Sequence, residues 1–224
     1  MRVVYDHNFG LQTQAEVYHF NATLVDVDEH EHDFALSTGW LATAKASVPV
    51  WYQCRSTRCD LSKCNYSMLA SAAVLDTIQD EQLDAIYTEY CKKRGYKKYF
   101  EVNESLDWDK FIGYTNKDSA LIAWSKLREY SKNSIETVLF AWDYAEPDLK
   151  LGLKSLEHEL AWAKQIGYQY VYMGPGYETS SIYKSRMTGF EWWTGAEWSS
   201  DTDKYTWLCQ RDSKISRCAD LHGL

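Results

Sequence analysis

The stretch from Pro147 to Gly176 constrains this chain more than any other. In LKLGLKSLEHELAWAKQIG, residues Leu153, Leu156, Leu160 and Ala163 fall on one stripe, and Gly167 stands where a helix would end. A short strand, YQYVYMGPGY, follows at once and closes on two glycines and a proline. A helix with a single apolar stripe must lay that stripe on a partner layer, so the rest of the chain has to supply a sheet.

Strand-forming segments are available on both sides. Ala120 to Lys126 and Ser134 to Tyr144 are rich in β-formers and are separated by the turn-like EYSKN, so they are expected to pair antiparallel. Val50 to Leu61 reads as one strand with a face in the core, and GFEWWTG and YTWLC read as two more near the C-terminus. Before them, Gln79, Asp80 and Glu81 open a helix whose face carries Leu83, Ile86, Tyr87 and Tyr90. Lys92, Lys93 and Arg94 fall in its last turn and Gly95 just beyond. The acidic run from Val25 to Asp33, VDVDEHEHD, reads as a loop, with His30 and His32 solvated in it. No Pro-, Gly- or Ser-rich break and no solenoid repeat divides the chain. One compact unit is expected, made of an N-terminal region at 1–75 and a second region at 76–224. This order of elements describes an α+β protein. It recurs in the acetyltransferase-like (GNAT-like) fold, a mixed twisted sheet with a central helix, here at about 151–166.

Composition narrows the class. The 224 residues include 10 Trp, 17 Tyr and 7 Phe but only 3 Pro, which permits a large buried area with few forced breaks. A formal charge of −8, from 32 acidic and 24 basic residues, excludes a broadly basic nucleic-acid coat but allows one local basic face. The densest is KKRGYKK, Lys92 to Lys98. The first residues lack the apolar core of a secretory signal, and no apolar run approaches the ~20 residues of a membrane helix. A cytoplasmic protein with no membrane partner is therefore expected, its cysteines being free thiols or metal ligands.

From Leu149 to Trp198 the chain resembles the C-terminal half of the aminoacyl-tRNA-protein transferases, the arginyl and leucyl transferases. Leu151-Gly152 with Glu157 or Glu159 is similar to the family's Ser-Leu-Gly and helix glutamate. Tyr170-Val171-Tyr172-Met173-Gly174-Pro175 resembles its Tyr-x-Tyr-Leu-Gly-Tyr strand. Tyr183, Lys184 and Glu191 match its Tyr-Lys motif with a following Glu, and Gly195 to Trp198 its closing Gly-x-x-Trp. Further back, Gly39-Trp40, Cys54, Arg58 and Ser67 look like the family's N-terminal segment, and DWDKF (107–111) falls where the family has a similar piece.

The resemblance implies transfer of an amino acid, arginine or leucine, from aminoacyl-tRNA to the N-terminal amine of a protein or peptide, typically one that begins with an acidic residue. It implies catalytic roles for Tyr183 as a hydroxyl donor, Lys184 as a cation near the ester or terminal phosphates, and Glu191 as the holder of Lys184 or of the incoming amine. Arg58 and Arg186 would bind the acidic acceptor by bidentate contacts. Gly152, Tyr172 and Gly174 would line the substrate. The tRNA would rest on Lys92, Lys93, Arg94, Lys97 and Lys98, with Trp192 or Trp193 available to stack its terminal adenine.

Family members usually carry four cysteines near the N-terminus. Only Cys54 matches, since Trp51 stands where its partner would be, so no metal or other cofactor is expected. Cys54, Cys59 and Cys64, five positions apart on an expected strand, point to alternating faces and do not suggest a site either. Two other classes remain. An acyl-CoA N-acetyltransferase shares the fold, but its pyrophosphate turn needs a second small residue that Leu149 to Lys154 lacks. A non-catalytic module on the same fold would bind tRNA or acidic N-termini.

Overall fold

The β-former-rich runs along 109–142 make three successive strands, and the helix after them returns the chain to a fourth strand beside the third. In the computed structural model, which describes residues 1–9, 18–42, 50–76, 80–98 and 109–215, the elements in chain order are as follows. Strands β1 (Arg2–Phe9) and β2 (Tyr18–Val25) precede helix α1 (His32–Ser37), and β3 (Trp40–Ala42), β4 (Trp51–Gln53), β5 (Ser56–Asp60) and β6 (Ala72–Val74) come next. Helix α2 (Asp80–Arg94), strands β7 (Asp109–Thr115), β8 (Leu121–Glu129) and β9 (Ser134–Trp142), and helix α3 (Leu151–Ile166) fill the middle. The chain ends with β10 (Tyr170–Pro175), β11 (Phe190–Trp193), β12 (Trp198–Ser199) and α4 (Thr202–Asp212). Gln79, Asp107 and Trp108, named above, lie outside the described residues.

The chain groups into two compact units, 60–172 and 1–59 with 173–224. In the first, the strand order is β10-β9-β8-β7-β6. Pairing is antiparallel from β6 to β9, and Tyr170–Tyr172 pairs parallel with Ser134–Glu136. Parallel neighbours need a crossover, which α3 supplies. Successive residues of β8 face opposite sides. Trp124 donates its Nε1–H to Leu83 O of α2 at 2.9 Å, whereas Ser125 donates to Glu159 of α3. The two helices therefore cover opposite faces of this sheet. α2 buries Leu83, Ile86, Tyr87 and Cys91 against Phe111, Trp124 and Ala141. Gly95 ends it at φ +67, and Gly167 ends α3 at φ +108, both in the left-handed region that glycine occupies without steric cost. An antiparallel β7–β9 set, a crossover helix and a parallel return strand make this the α+β, acetyltransferase-like fold that the element order implies. Deep in the same sheet, Asp109 holds Lys126 Nζ at 2.7 Å and Arg128 Nε at 3.3 Å, so the buried cations are compensated.

The second unit has one sheet of order β1-β2-β4-β3 and a set in which β12 pairs with β11 and β11 with β5, all antiparallel. The Met173–Pro175 end of β10 lies beside β5, where Thr57 Oγ1 donates to Gly174 O at 2.8 Å.

Three segments differ from their sequence reading. Residues 25–33 are not all loop: a 3-10 turn at Glu29–Glu31 leads into α1, and His32 is buried against Trp51 with ring centroids 5.1 Å apart. Val50 to Leu61 is not one strand. The chain breaks at Cys54 and Arg55, so that β4 joins one sheet and β5 the other. YTWLC is helical, inside α4, because Asp201 caps the Lys204 amide at 2.9 Å and Tyr205, Leu208 and Cys209 fall on one buried helical face.

Candidate functional site

Two segments far apart in sequence meet in the unit formed by 1–59 and 173–224. The β5/β11 register sets Arg58 opposite Glu191, 133 positions later in the chain. Arg58 donates to Glu191 Oε2 from Nε at 2.9 Å and from Nη2 at 2.8 Å, and its guanidinium lies 4.0 Å from the centroid of Trp198. Arg58 is only 8% exposed. A charge-assisted pair with an aromatic lid fixes both side chains firmly.

Lys184 sits in the 3-10 segment Thr179–Arg186 and is also 8% exposed. Its Nζ donates to Met173 O at 2.5 Å and to Pro175 O at 2.8 Å. The ammonium thus ties down the end of β10 on either side of Gly174, which adopts φ +72. Tyr183, next to it, is exposed, and so is Arg186, which makes no ion pair among the described residues. Glu191 was expected to hold Lys184 or an amine; the structure instead places its carboxylate on Arg58, because the antiparallel register makes those two residues cross-strand partners.

A cavity of about 280 Å³ opens in the same unit, lined by Gln53, Cys54, Arg55, Tyr177, Trp193, Thr194 and Gly195. Its walls come from both segments. Tyr177 Oη accepts the Arg55 amide at 2.6 Å, and burial raises the Tyr177 hydroxyl above its ordinary value while that amide opposes the shift. The Arg55 guanidinium bonds Gly176 O at 3.2 Å and pairs with Asp212 at 2.7 Å. Trp193 is 8% exposed, and its Nε1–H has no hydrogen-bond partner among the described residues. Cys54 is buried at the wall. Sequence reasoning singled out Cys54 and Trp193 but not Arg55 or Tyr177. Both of these stand directly beside residues it did name, and nothing local marks their convergence.

The other expected residues have different surroundings from those the resemblance implies. Tyr172 is a core side chain in a stretch of β10 where its neighbours Val171 and Met173 are buried as well, and Trp192 and Trp193 are likewise buried, so neither indole offers an open ring for stacking. Gly152 is exposed in the first turn of α3. Lys92, Lys93, Arg94, Lys97 and Lys98 are all exposed at and beyond the end of α2. Of the two helix glutamates, Glu159 is the buried one. Ser125 Oγ donates to its Oε1 at 2.5 Å and Tyr114 Oη at 3.2 Å, and burial with no cation on the carboxyl pushes its pKa up to about 7 despite these two hydrogen bonds. Cys54, Cys59 and Cys64 are buried and take part in no disulfide, and among the described residues no three His, Cys, Asp or Glu side chains converge as metal ligands do. No described helix is long and apolar enough to cross a membrane.

No protein-family model matches the sequence, and no curated protein sequence matches it. Among solved structures the chain is similar to L-PGS from Bacillus licheniformis, at 11% identity and a TM-score of 0.44, over 66% of this chain and 52% of that one. It is similar to N-myristoyltransferase from Saccharomyces cerevisiae with bound myristoyl-CoA, at 11% identity and 0.45, over 61% of this chain and 46% of that one. A C-terminal domain assigned to a lysylphosphatidylglycerol synthetase of Agrobacterium fabrum is similar at 13% identity and 0.42, over 74% and 57%. The chain therefore spans about half the length of the solved structures it matches.

Proposed function

We propose that this protein is an aminoacyltransferase that moves arginine or leucine from aminoacyl-tRNA to the N-terminal amine of a protein or peptide, with acceptors beginning in an acidic residue preferred. The observation that carries this reading is the convergence of 54–58 with 174–198. The motif residues Arg58, Lys184 and Glu191 come from opposite ends of the chain and gather in one unit, which also holds a cavity walled by both segments.

The chemistry asks little of such a site. An aminoacyl ester is already activated, so the amine attacks the ester carbonyl carbon, a C–N bond forms, the C–O bond to the tRNA ribose breaks, and the amine's proton passes to the leaving oxygen. An α-amino group has a pKa of roughly 7.7 to 8.0, so a neutral fraction is present at pH 7. Orientation and donors aimed at the tetrahedral oxyanion supply the rate. Tyr183 is the exposed hydroxyl donor, and Lys184 acts from beneath by fixing the Gly174 turn. Because Arg58 is already neutralised by Glu191, the contact with an acidic acceptor falls to Arg186.

The test is to incubate the purified protein with labelled aminoacyl-tRNAs and with peptides that differ only in their first residue. Label should appear on the α-amine of peptides that begin with Asp or Glu. Transfer from acetyl-coenzyme A with none from tRNA would overturn the proposal in favour of an N-acetyltransferase, and peptide binding with no transfer from either donor would make the protein a recognition module.

A further inference from the structure

Within the unit formed by 1–59 and 173–224, the wall of the cavity restricts what it can hold. Its volume of about 280 Å³ has room for roughly nine waters and falls below the roughly 300 to 1,000 Å³ of sites that enclose a drug-sized ligand. The occupant is therefore a group of amino-acid size, and a whole coenzyme is too large. Two donors at the wall lack an acceptor. The Trp193 indole N–H is buried and bonds to nothing among the described residues. A Cβ on Gly39 would strike Cδ1, Nε1 and Cγ of this ring alike, so the Gly39 backbone lies over the pyrrole face and the N–H, in the ring plane, points past it. Tyr177 Oη accepts the Arg55 amide, and its own hydrogen has no acceptor among the described residues. Buried donors in folded proteins are paired, so the partner of Trp193 comes from outside the chain, and an oxygen on the occupant would serve.

Charge sets the second condition. Among the described lining residues Arg55 carries the one formal charge, and none is Asp or Glu. The Arg55 guanidinium is answered by Asp212 Oδ2 at 2.7 Å and by Gly176 O at 3.2 Å, while Arg211 holds the other Asp212 oxygen at 2.7 Å. A cation entering here would face Arg55 and find no free carboxylate. An anion would have to displace Asp212 from a guanidinium already held. The rest of the wall is neutral, and the Thr194 hydroxyl is engaged within its own turn by Glu197 O and N. The cavity also adjoins the motif residues. Trp198 packs on the Trp193 indole with centroids 5.6 Å apart and covers Arg58 in turn, so one ring separates the wall from the Arg58–Glu191 pair.

We infer that this cavity holds the uncharged side chain of the transferred amino acid, leucine rather than arginine, with a carbonyl oxygen of the same residue accepting from Trp193 Nε1–H. The resemblance leaves both amino acids open, and the wall chooses between them by charge. That the leucyl group arrives on a tRNA rests on the proposed function; the preference for a neutral group with an acceptor oxygen does not.

The experiment titrates the full chain, labelled with nitrogen-15, with N-acetyl-leucinamide, N-acetyl-argininamide and N-acetyl-aspartamide, which share their backbone oxygens and differ in the side chain. The readout is the indole N–H region of the NMR spectrum, where the signal of Trp193 is the one that Trp193→Phe removes. The leucine derivative should shift that signal and bind at least about 10-fold more tightly than either charged one. Trp193→Phe keeps a ring and loses the donor, and should weaken the leucine derivative by about 2- to 12-fold. Gln53→Glu places a carboxylate at an exposed position of the wall and should strengthen the arginine derivative by about 2- to 5-fold, a readout that does not depend on Trp193→Phe folding. Equal binding of all three compounds, tighter binding of a charged one, no binding of the leucine derivative, or binding that leaves the Trp193 signal unmoved would overturn the inference. Binding of the leucine derivative with no transfer from leucyl-tRNA would sink the proposed function and leave the cavity's preference standing. Transfer from arginyl-tRNA with none from leucyl-tRNA would do the reverse.

Discussion

Replacing Glu159 by Gln should remove a pH dependence that the buried carboxyl imposes on the fold. In the unfolded chain this group titrates at its ordinary value of 4.5, and in the folded protein at about 7. Below pH 4.5 both states hold the proton and the carboxyl adds no pH dependence. Between those values the folded state binds one proton more than the unfolded state, so raising the pH favours unfolding, by about 1.4 kcal/mol per pH unit. Above pH 7 the loss is complete, and the 2.5-unit separation amounts to about 3 kcal/mol. Gln keeps an oxygen that can accept from Ser125 and Tyr114 but has nothing to ionise. Urea unfolding at pH 5, 6, 7 and 8, followed by far-UV circular dichroism, gives the stability of each protein. His158 has its pKa lowered by burial and contributes with the opposite sign, but it is present in both proteins and cancels in the difference. The variant should gain on the wild type by about 3 kcal/mol between pH 4.5 and pH 8, or about 1 M or more in urea midpoint. A difference that stays constant with pH would show that Glu159 is ionised in the folded state and would refute the reasoning.

Two more substitutions probe the candidate site. Gly39→Ala puts a Cβ 2.2 Å from Trp193 Cδ1 at a residue with φ +82, so strain and overpacking together should cost at least about 2 kcal/mol. The displaced indole should change tryptophan fluorescence at the cavity wall; an unaltered midpoint and spectrum would contradict this packing. Lys184→Met leaves two carbonyls at the end of β10 without their charged donor and should lower stability by about 2 kcal/mol, measured by thermal or urea unfolding. Full stability with loss of aminoacyl transfer would show instead that the ammonium serves the reaction directly.

Local periodicity determined a good deal by itself. The stripe of α3, its stop at Gly167, the acidic start and basic end of α2, and the antiparallel β8 and β9 were all legible, because each depends on side chains within a turn or two of one another. Segments that failed did so for non-local reasons. Val50 to Leu61 has the composition of one strand, yet two sheets compete for it and divide it at Cys54. The aromatics of YTWLC suit a strand, but the Asp201 cap and a buried helical face settled the segment as α4. At the candidate site, the sequence named Arg58, Lys184 and Glu191 separately, and the tertiary structure decided which touches which. Cross-strand register gave Glu191 to Arg58, and the end of β10 took Lys184. The basic run at Lys92 to Lys98 was plain in a chain of net charge −8, since charge is counted along the sequence. That Arg55 and Tyr177 meet at one cavity wall is a property of the folded chain, which brings residues 122 positions apart within hydrogen-bond reach of one another.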